Sequence, residues 1–166
     1  MPFVLIGSIW LAVAAWAAVT AGRMLGREDR GWLWLWIGGC VAYWVHVVAA
    51  FAGPYRWSVA VAWAETARQT AELTGIASGA GLWANALFGL VWAADGWRWW
   101  RTGRSVPVGR GRGRWLAGQW FLGILVFNGT VVFGEGAVRA YGVGVFALLA
   151  VVWVRATLKP SSPRNP

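Results

Sequence analysis

Residues 57–95 read WSVAVAWAETARQTAELTGIASGAGLWANALFGLVWAAD, and this stretch decides the fold class because two patterns follow each other in it. Its first half carries Glu65, Arg68 and Glu72 at spacings of three and four, which places these charges on one face of a helix. From Leu73 to Ala94 it contains no charged residue, a run long enough to cross a bilayer. The stretch therefore predicts a surface helix, Trp57 to Glu72, that leads into a transmembrane helix.

The rest of the chain repeats the apolar half of this pattern. Only 13% of the 166 residues are charged, and they lie between long uncharged runs. The runs predict an all-α, polytopic transmembrane helical bundle of about five spans, at residues 3–21, 32–52, 75–94, 115–133 and 137–154. We expect residues 1–158 to form a single integral membrane domain. Residues 159–166, which lack apolar content, are expected to form a disordered cytoplasmic tail.

The basic residues predict the orientation of these spans, because cytoplasmic loops carry an excess of Lys and Arg. With the N-terminus outside, all 15 basic residues except Arg56, Arg68 and Arg139 face the cytoplasm. No basic residue precedes the first apolar run, which favours an uncleaved span over a signal peptide. We therefore expect a multi-pass protein of the inner cell membrane, with its N-terminus outside and its C-terminus in the cytoplasm.

Several polar side chains are expected near the outer leaflet. His46 precedes the end of the second span by about six residues, or roughly 9 Å of helix, and Asn128 lies at a similar depth in the fourth span. Together with Glu65, Arg68 and Glu72 they form a candidate proton, ion or ligand cluster. The alternatives are structural: Arg68 neutralises both glutamates, and His46 bonds to a neighbouring helix.

The sequence offers few routes to cofactor or enzyme chemistry. His46 is the only histidine, so a haem or metal at His46 stays open, but no cofactor is otherwise expected. Cys40 is the only cysteine, which excludes a cysteine metal cluster. Arg68 between the two glutamates opposes cation binding. Because Walker, HExxH and CxxC motifs are absent from the sequence, an enzyme is the less expected class.

Small residues around the start of the third span predict close helix packing. The residues concerned are Gly75, Ser78, Gly79, Gly81 and Asn85. Small side chains let helix backbones approach each other in lipid, and an asparagine can bond across the interface. If the surface helix continues into the third span, Gly75 and Gly79 extend the charged face of Glu65 to Glu72, and Ser78, Gly81 and Asn85 form a second, small and polar stripe. A groove that lines a ligand or ion path is the alternative interpretation.

The loop after the third span is rich in arginine. Its basic residues are Arg98, Arg101, Arg104, Arg110, Arg112 and Arg114. The net charge of +9 would suggest nucleic acid as a partner in a soluble protein. In a membrane protein, topology and contact with anionic lipid head groups explain the charge first. We therefore expect membrane lipids, and no nucleic acid, as the partner of this loop.

The leading functional hypothesis is a non-enzymatic subunit or scaffold of a membrane assembly. It rests on the small size, the glycine-rich and tryptophan-rich composition and the lack of a catalytic motif, and it implies other membrane subunits or a homo-oligomer as partners. The first alternative is a proton- or ion-coupled transport component that uses His46, Glu65, Arg68 and Glu72. The second is an electron-transfer subunit with His46 as a cofactor ligand.

Overall fold

The computed structural model of the chain describes residues 2–158, which form helices and, within that range, no strand. The α-helices are α1 (Pro2–Met24), α2 (Arg30–Ala52), α3 (Val59–Thr74), α4 (Gly81–Thr102), α5 (Arg112–Phe127) and α6 (Gly136–Leu158). A 3₁₀ turn (Gly109–Gly111) precedes α5, and a π-helical turn (Asn128–Val132) follows it. The prediction of an all-helical bundle with an added helix before the third span is confirmed. The predicted disordered tail lies outside the described residues.

Four segments are long and apolar enough to cross a membrane: Phe3–Met24, Arg30–Ala52, Gly109–Val132 and Gly136–Leu158. With its 22 residues, α4 is about 33 Å long and packs against α2 and α5, so it runs alongside the spanning helices. Its second half is less apolar because it contains several tryptophans and charged residues. About five spans, with the 16-residue α3 outside them, are consistent with this arrangement. The chain is a membrane protein.

The third span is displaced from its predicted position. We expected it at residues 75–94, but α4 begins at Gly81 and ends at Thr102. Gly75 ends α3 in the left-handed conformation, with φ of 76°, which glycine adopts without steric cost. Residues 75–80 are not helical, so α3 and α4 are separate helices and the stripe of residues extending from Glu65 is not one helix face.

The core is built around tryptophans from α1, α2 and α4. Trp36 and Trp92 pack with their ring centroids 5.1 Å apart, and the Trp92 indole donates a hydrogen bond of 3.2 Å to the Trp36 carbonyl. Gly39 makes this packing geometrically possible, because a Cβ atom there would lie only 2.7 Å from the Ala15 side chain and 2.9 Å from Trp92. The three helices therefore approach one another closely at Gly39.

The bundle has two different ends. At the basic end, α1, α4 and α6 finish and α2 and α5 begin. The opposite end holds α3 and the starts of α1, α4 and α6. Asp29 caps α2 at the basic end by accepting hydrogen bonds from the Gly31 and Trp32 amides, at 2.9 and 3.3 Å. Ser58 caps α3 at the opposite end through the Val61 amide.

Candidate functional site

The most deeply buried charged groups lie at the basic end. Arg23, near the end of α1, donates a hydrogen bond of 2.7 Å to Asp95 on α4, and only 5% of each side chain is exposed. The other terminal nitrogen of Arg23 donates to Gln119 on α5, at 2.9 Å. Among the described residues the Nε atom of Arg23 is buried without a hydrogen-bond partner, so the bonds from its two terminal nitrogens offset only part of the free-energy cost of burying this charge. Arg23 therefore joins three helices.

Asp95 is the centre of this ion-pair cluster. Its Oδ1 atom accepts hydrogen bonds from Arg98, at 2.8 and 3.3 Å, and from the Trp115 indole, at 3.0 Å. Its Oδ2 atom accepts the bond from Arg23. Both carboxylate oxygens are thus occupied by donors from α1, α4 and α5. We refer to Arg23, Asp95, Arg98, Trp115 and Gln119 as the Asp95 cluster.

Tryptophan rings surround the Arg23 guanidinium. Its central carbon lies 4.2 Å from the ring centroid of Trp36 and 4.9 Å from that of Trp99, both of which are almost fully buried. A guanidinium over an indole face gains cation–π stabilisation, which is larger where water is excluded. The tryptophans near the helix ends therefore stabilise a buried charge as well as filling the core.

The Asp95 cluster also holds the loop between α4 and α5. Arg98 donates hydrogen bonds to the carbonyls of Arg104, at 3.0 Å, and Ser105. The Ser105 hydroxyl, which is fully buried, donates to Glu28 in the α1–α2 loop at 2.8 Å. The α1–α2 loop and the α4–α5 loop, which are distant in sequence, are thereby held together. This arrangement is a structural clasp for the basic end of the bundle.

Sequence reasoning did not identify the Asp95 cluster. Arg23 and Asp95 are 72 residues apart, and spacing alone does not show that α1 and α4 bring them together. One signal was present: Arg23 lies two residues after the first predicted span and Asp95 directly follows the third, so both were expected at the same membrane face. Opposite charges at equal depth in a bundle are candidates for pairing.

The predicted charged triplet lies on the exposed face of α3. Arg68 donates to Glu65 at 2.6 and 3.0 Å and also pairs with Glu72, so it bridges both glutamates as the structural alternative requires. The hydrogen bonds from Arg68 and then from Gln69 lower the pKa of Glu65 from its ordinary 4.5 to about 2. Bonds to Glu65 in turn raise the pKa of Arg68. The triplet neutralises itself apart from one negative charge.

His46 and Asn128 form hydrogen bonds with groups outside this triplet. The Nδ1 atom of His46 is 2.9 Å from the Leu5 carbonyl on α1. Asn128 begins the π-helical turn, and its carbonyl accepts a hydrogen bond from the Phe133 amide at 2.8 Å. Within residues 2–158, no hydrogen bond or ion pair joins either residue to Glu65, Arg68 or Glu72, and no three His, Cys, Asp or Glu side chains are grouped as a metal-ligand set.

The small residues predicted for helix packing lie between α3 and α4 and at the start of α4. Gly79 is buried, and a Cβ atom there would collide with the Trp63 ring, while one at Gly81 would lie 3.1 Å from Thr66. Ser78 accepts a hydrogen bond from the Ala80 amide, and the Asn85 carbonyl accepts one from the Tyr43 hydroxyl at 2.6 Å. Gly75 is the end of α3. These contacts are internal to the chain.

The arginines of the α4–α5 region separate into two groups. Arg98 belongs to the Asp95 cluster, with 26% of its side chain exposed. The other arginines are exposed: Arg101, Arg104, Arg110, Arg112 and Arg114. These exposed side chains surround the basic end and are available to solvent or lipid head groups.

A cavity of about 380 Å³ lies between the helices in the half of the bundle away from the Asp95 cluster. All six helices contribute to its wall, which is mainly aliphatic and aromatic, and His46, Tyr55 and Asn85 add polar groups. Burial, and next the charge of Glu65, raise the pKa of the Tyr55 phenol, so it stays protonated at neutral pH. A cavity of this size and composition is typical of small-molecule sites.

No known protein-family model matches the chain, and neither a curated protein nor a solved structure matches it.

Proposed function

We propose that the protein is a non-enzymatic subunit of a membrane assembly, which binds other membrane chains or further copies of itself through α6. The outward face of α6 is the observation that supports this proposal. Ala140, Gly144 and Ala147 are exposed on it at spacings of four and three, and a Cβ atom at Gly144 would meet nothing within 4 Å. Such small residues leave a shallow groove in which a second helix can approach closely.

The residues beside this groove are suited to an intermolecular contact. Val143, Leu148 and Val151 are exposed there, so a helix in the groove would be flanked by large apolar side chains. Within the bundle, α6 packs mainly on α1 and on the π-helical turn, through its opposite face, where Gly142 contacts Thr130. Association of helices in lipid depends on van der Waals packing of this kind rather than on the hydrophobic effect.

The contacts of the predicted polar cluster give the transport and electron-transfer alternatives less support. Glu65, Arg68 and Glu72 bond to one another on an exposed helix, and His46 uses Nδ1 to fasten α2 to α1. Each of these arrangements has a structural role that needs no substrate. The subunit hypothesis uses a surface that has no such internal role.

The distribution of charge supports an inner-membrane location with the basic end in the cytoplasm. Arg23, Arg27 and Arg30 lie at this end together with the exposed arginines that follow α4. Near an anionic lipid surface each exposed basic residue contributes about 1 kcal/mol of attraction. We propose that Arg101, Arg104, Arg110, Arg112 and Arg114 contact lipid head groups, while Arg98 acts inside the Asp95 cluster.

The test is purification in a mild detergent, with the mass of the complex and an absorption spectrum measured on one sample. The parent chain is expected as a homo-oligomer or with co-purifying chains, and Gly144→Leu is expected to yield the isolated protomer. Gly38→Leu is the matched control, because Gly38 is also an exposed helical glycine with no atom within 4 Å of its Cβ position.

A protomer that is isolated in the parent, or an assembly that Gly144→Leu leaves intact, would contradict the α6 interface. A stoichiometric chromophore that disappears in His46→Ala would instead favour the electron-transfer alternative. Gly79→Leu would not test this interface, because Gly79 packs against Trp63 of its own chain.

A further inference from the structure

We propose that the interhelical cavity binds an uncharged, membrane-soluble molecule that has an apolar body and a hydroxyl group at one end. The proposal is independent of the α6 interface, because it uses the interior of the bundle. It rests on the composition of the cavity wall, on the tautomer of His46 and on the position of the cavity mouth.

The wall of the cavity selects an apolar body. Phe88, Trp92 and Tyr43 form an aromatic group on one side, with ring centroids 4.8 to 6.3 Å apart. Val13 and Val126 add aliphatic surface from α1 and α5. No Asp, Glu, Lys or Arg of the described residues lines the cavity, so a charged ligand would lose its hydration without gaining a counterion.

The hydrogen bond of His46 favours one kind of polar group at the end of the ligand. The Leu5 carbonyl is only an acceptor, so the Nδ1 atom of His46, 2.9 Å away, carries the hydrogen. In the neutral imidazole, Nε2 then has a free lone pair and acts as an acceptor. A hydroxyl donates to such an atom, whereas a ketone or an ether does not. His46 lines the cavity and therefore favours a ligand that donates a hydrogen bond.

The mouth of the cavity fits a ligand that arrives from the membrane. Four residues of its wall are exposed, namely Val59 on α3, Trp83 and Asn85 on α4, and Gly129 in the π-helical turn, so the cavity is open to the surroundings of the bundle at this end. His46 is six residues from the end of α2, or about 9 Å along the helix. A molecule dissolved in the lipid with its hydroxyl near the surface would hold that hydroxyl at a similar depth.

The probe for the test is hexadecanol that carries a photoreactive diazirine, and its methyl ether is the matched control ligand. Each is titrated into the full-length protein in mild detergent, and the cross-linked peptides are mapped by mass spectrometry. The alcohol is expected to label residues 82–92 saturably, at roughly three- to tenfold lower concentration than the ether, as one net hydrogen bond implies. In His46→Phe the two probes should label at equal concentrations.

Two variants test whether the label lies in the cavity. Gly129 lines it and has no atom within 4 Å of its Cβ position, so Gly129→Leu is expected to lower labelling by both probes with little strain. Ala86→Phe fills the cavity from α4 and should act in the same way. Gly38→Leu, outside the cavity, should leave labelling unchanged.

Unsaturable labelling, or labelling that persists in both Gly129→Leu and Ala86→Phe, would overturn the proposal. So would equal labelling by the alcohol and the ether in the parent chain, because the role given to Nε2 of His46 predicts a difference. A thermal unfolding curve for each variant shows that the bundle remains folded. None of these outcomes depends on the oligomeric state, which separates this test from that of the α6 interface.

Discussion

Asp95 accepts hydrogen bonds from residues on α1, α4 and α5, and its partners differ in how easily they reach solvent. Arg98 is 26% exposed and can turn its guanidinium outward, whereas Arg23 is 5% exposed and lies among tryptophan rings. Loss of the carboxylate would therefore leave Arg23 as a buried, uncompensated charge. This asymmetry makes Asp95 the residue whose replacement has the largest expected effect on folding.

We expect Asp95→Asn to lower the free energy of unfolding by about 3–5 kcal/mol, the cost of removing one partner of a buried ion pair. The measurement is equilibrium unfolding in mixed detergent micelles, followed by tryptophan fluorescence. The double variant Arg23→Met, Asp95→Asn should recover part of the loss, because the buried charge is then also removed.

Glu72→Gln is the control for this comparison. It also removes a carboxylate from an arginine, but that pair is exposed on α3, where ion pairs contribute little to stability. Equal losses of stability in Asp95→Asn and Glu72→Gln would contradict the buried clasp described here.

The pKa of Glu65 provides a second prediction. In the parent chain Glu65 is expected to stay ionised down to about pH 2, because Arg68 and Gln69 donate hydrogen bonds to its carboxylate. Since the folded-state pKa is depressed below the ordinary 4.5, any stabilisation from these bonds is present above pH 4.5 and is lost as the pH falls towards 2. In Arg68→Gln the pKa should return towards 4.5.

Carbon NMR of labelled glutamate side chains measures this titration, since the chain has only the glutamates at 28, 65, 72 and 135 to assign. Gln69→Ala is the milder comparison, with an expected smaller rise in the pKa because the second-largest cause is removed. A Glu65 that titrates near 4.5 in the parent chain would contradict the observed pairing with Arg68.

The contacts of single residues were predictable from the sequence where both partners lie on the same helix. The bridging of Glu65 and Glu72 by Arg68 follows from spacings of three and four in one helix. The Asp95 cluster was not predictable in this way, because its bonds join residues on different helices and depend on which helices are neighbours. The Leu5 partner of His46 required the same information, although a bond to a neighbouring helix was among the alternatives.

Among the helices, α3 is the one most weakly joined to the bundle. Only Ala62 of α3 is fully buried, and the helix packs mainly on α4, where Gly79 allows the Trp63 ring to approach the backbone. A larger residue at Gly79 would have to displace this ring. The close contact between Gly79 and Trp63 is therefore an important part of the attachment of α3.

We expect Gly79→Leu to release α3 without unfolding the spanning helices. Hydrogen exchange by mass spectrometry should show faster exchange in residues 59–74, by roughly one to two orders of magnitude for a loss of about 1–3 kcal/mol from overpacking. Protection in α2 and α6 should not change. Gly7→Leu is the control, since a Cβ atom at Gly7 meets nothing within 4 Å. Protection of α3 that survives Gly79→Leu would show that other contacts hold it.

The existence and type of the helices were predictable, but some of their ends were not. Long uncharged runs located α1, α2, α5 and α6 to within a few residues. For α4, the uncharged run gave the wrong position for both ends. Residues 75–80 are uncharged, but they are not helical, because α3 ends at Gly75. At its other end α4 continues past the uncharged run through Asp95 and Arg98, which pair inside the bundle. Charge in a sequence indicates a membrane boundary only where the charged group is not compensated by a neighbour.

The whole molecule is electrostatically polarised, and this polarity leads to the last prediction. Exposed arginines surround one end of the bundle, while the opposite end has Arg56, Arg68 and Arg139, and Arg68 is paired with glutamates. Positive charge is retained on the cytoplasmic side during insertion.

In a chain whose Cys40 is replaced by Ala, Trp57→Cys and Val108→Cys place a thiol in the exposed loops at the two ends. A membrane-impermeant maleimide should label Trp57→Cys in intact cells and Val108→Cys only after permeabilisation. The reverse result would show that the arginine-rich loop faces outward and would contradict the lipid-contact proposal. It would not affect the Asp95 cluster, because the contacts of that cluster are internal to the bundle.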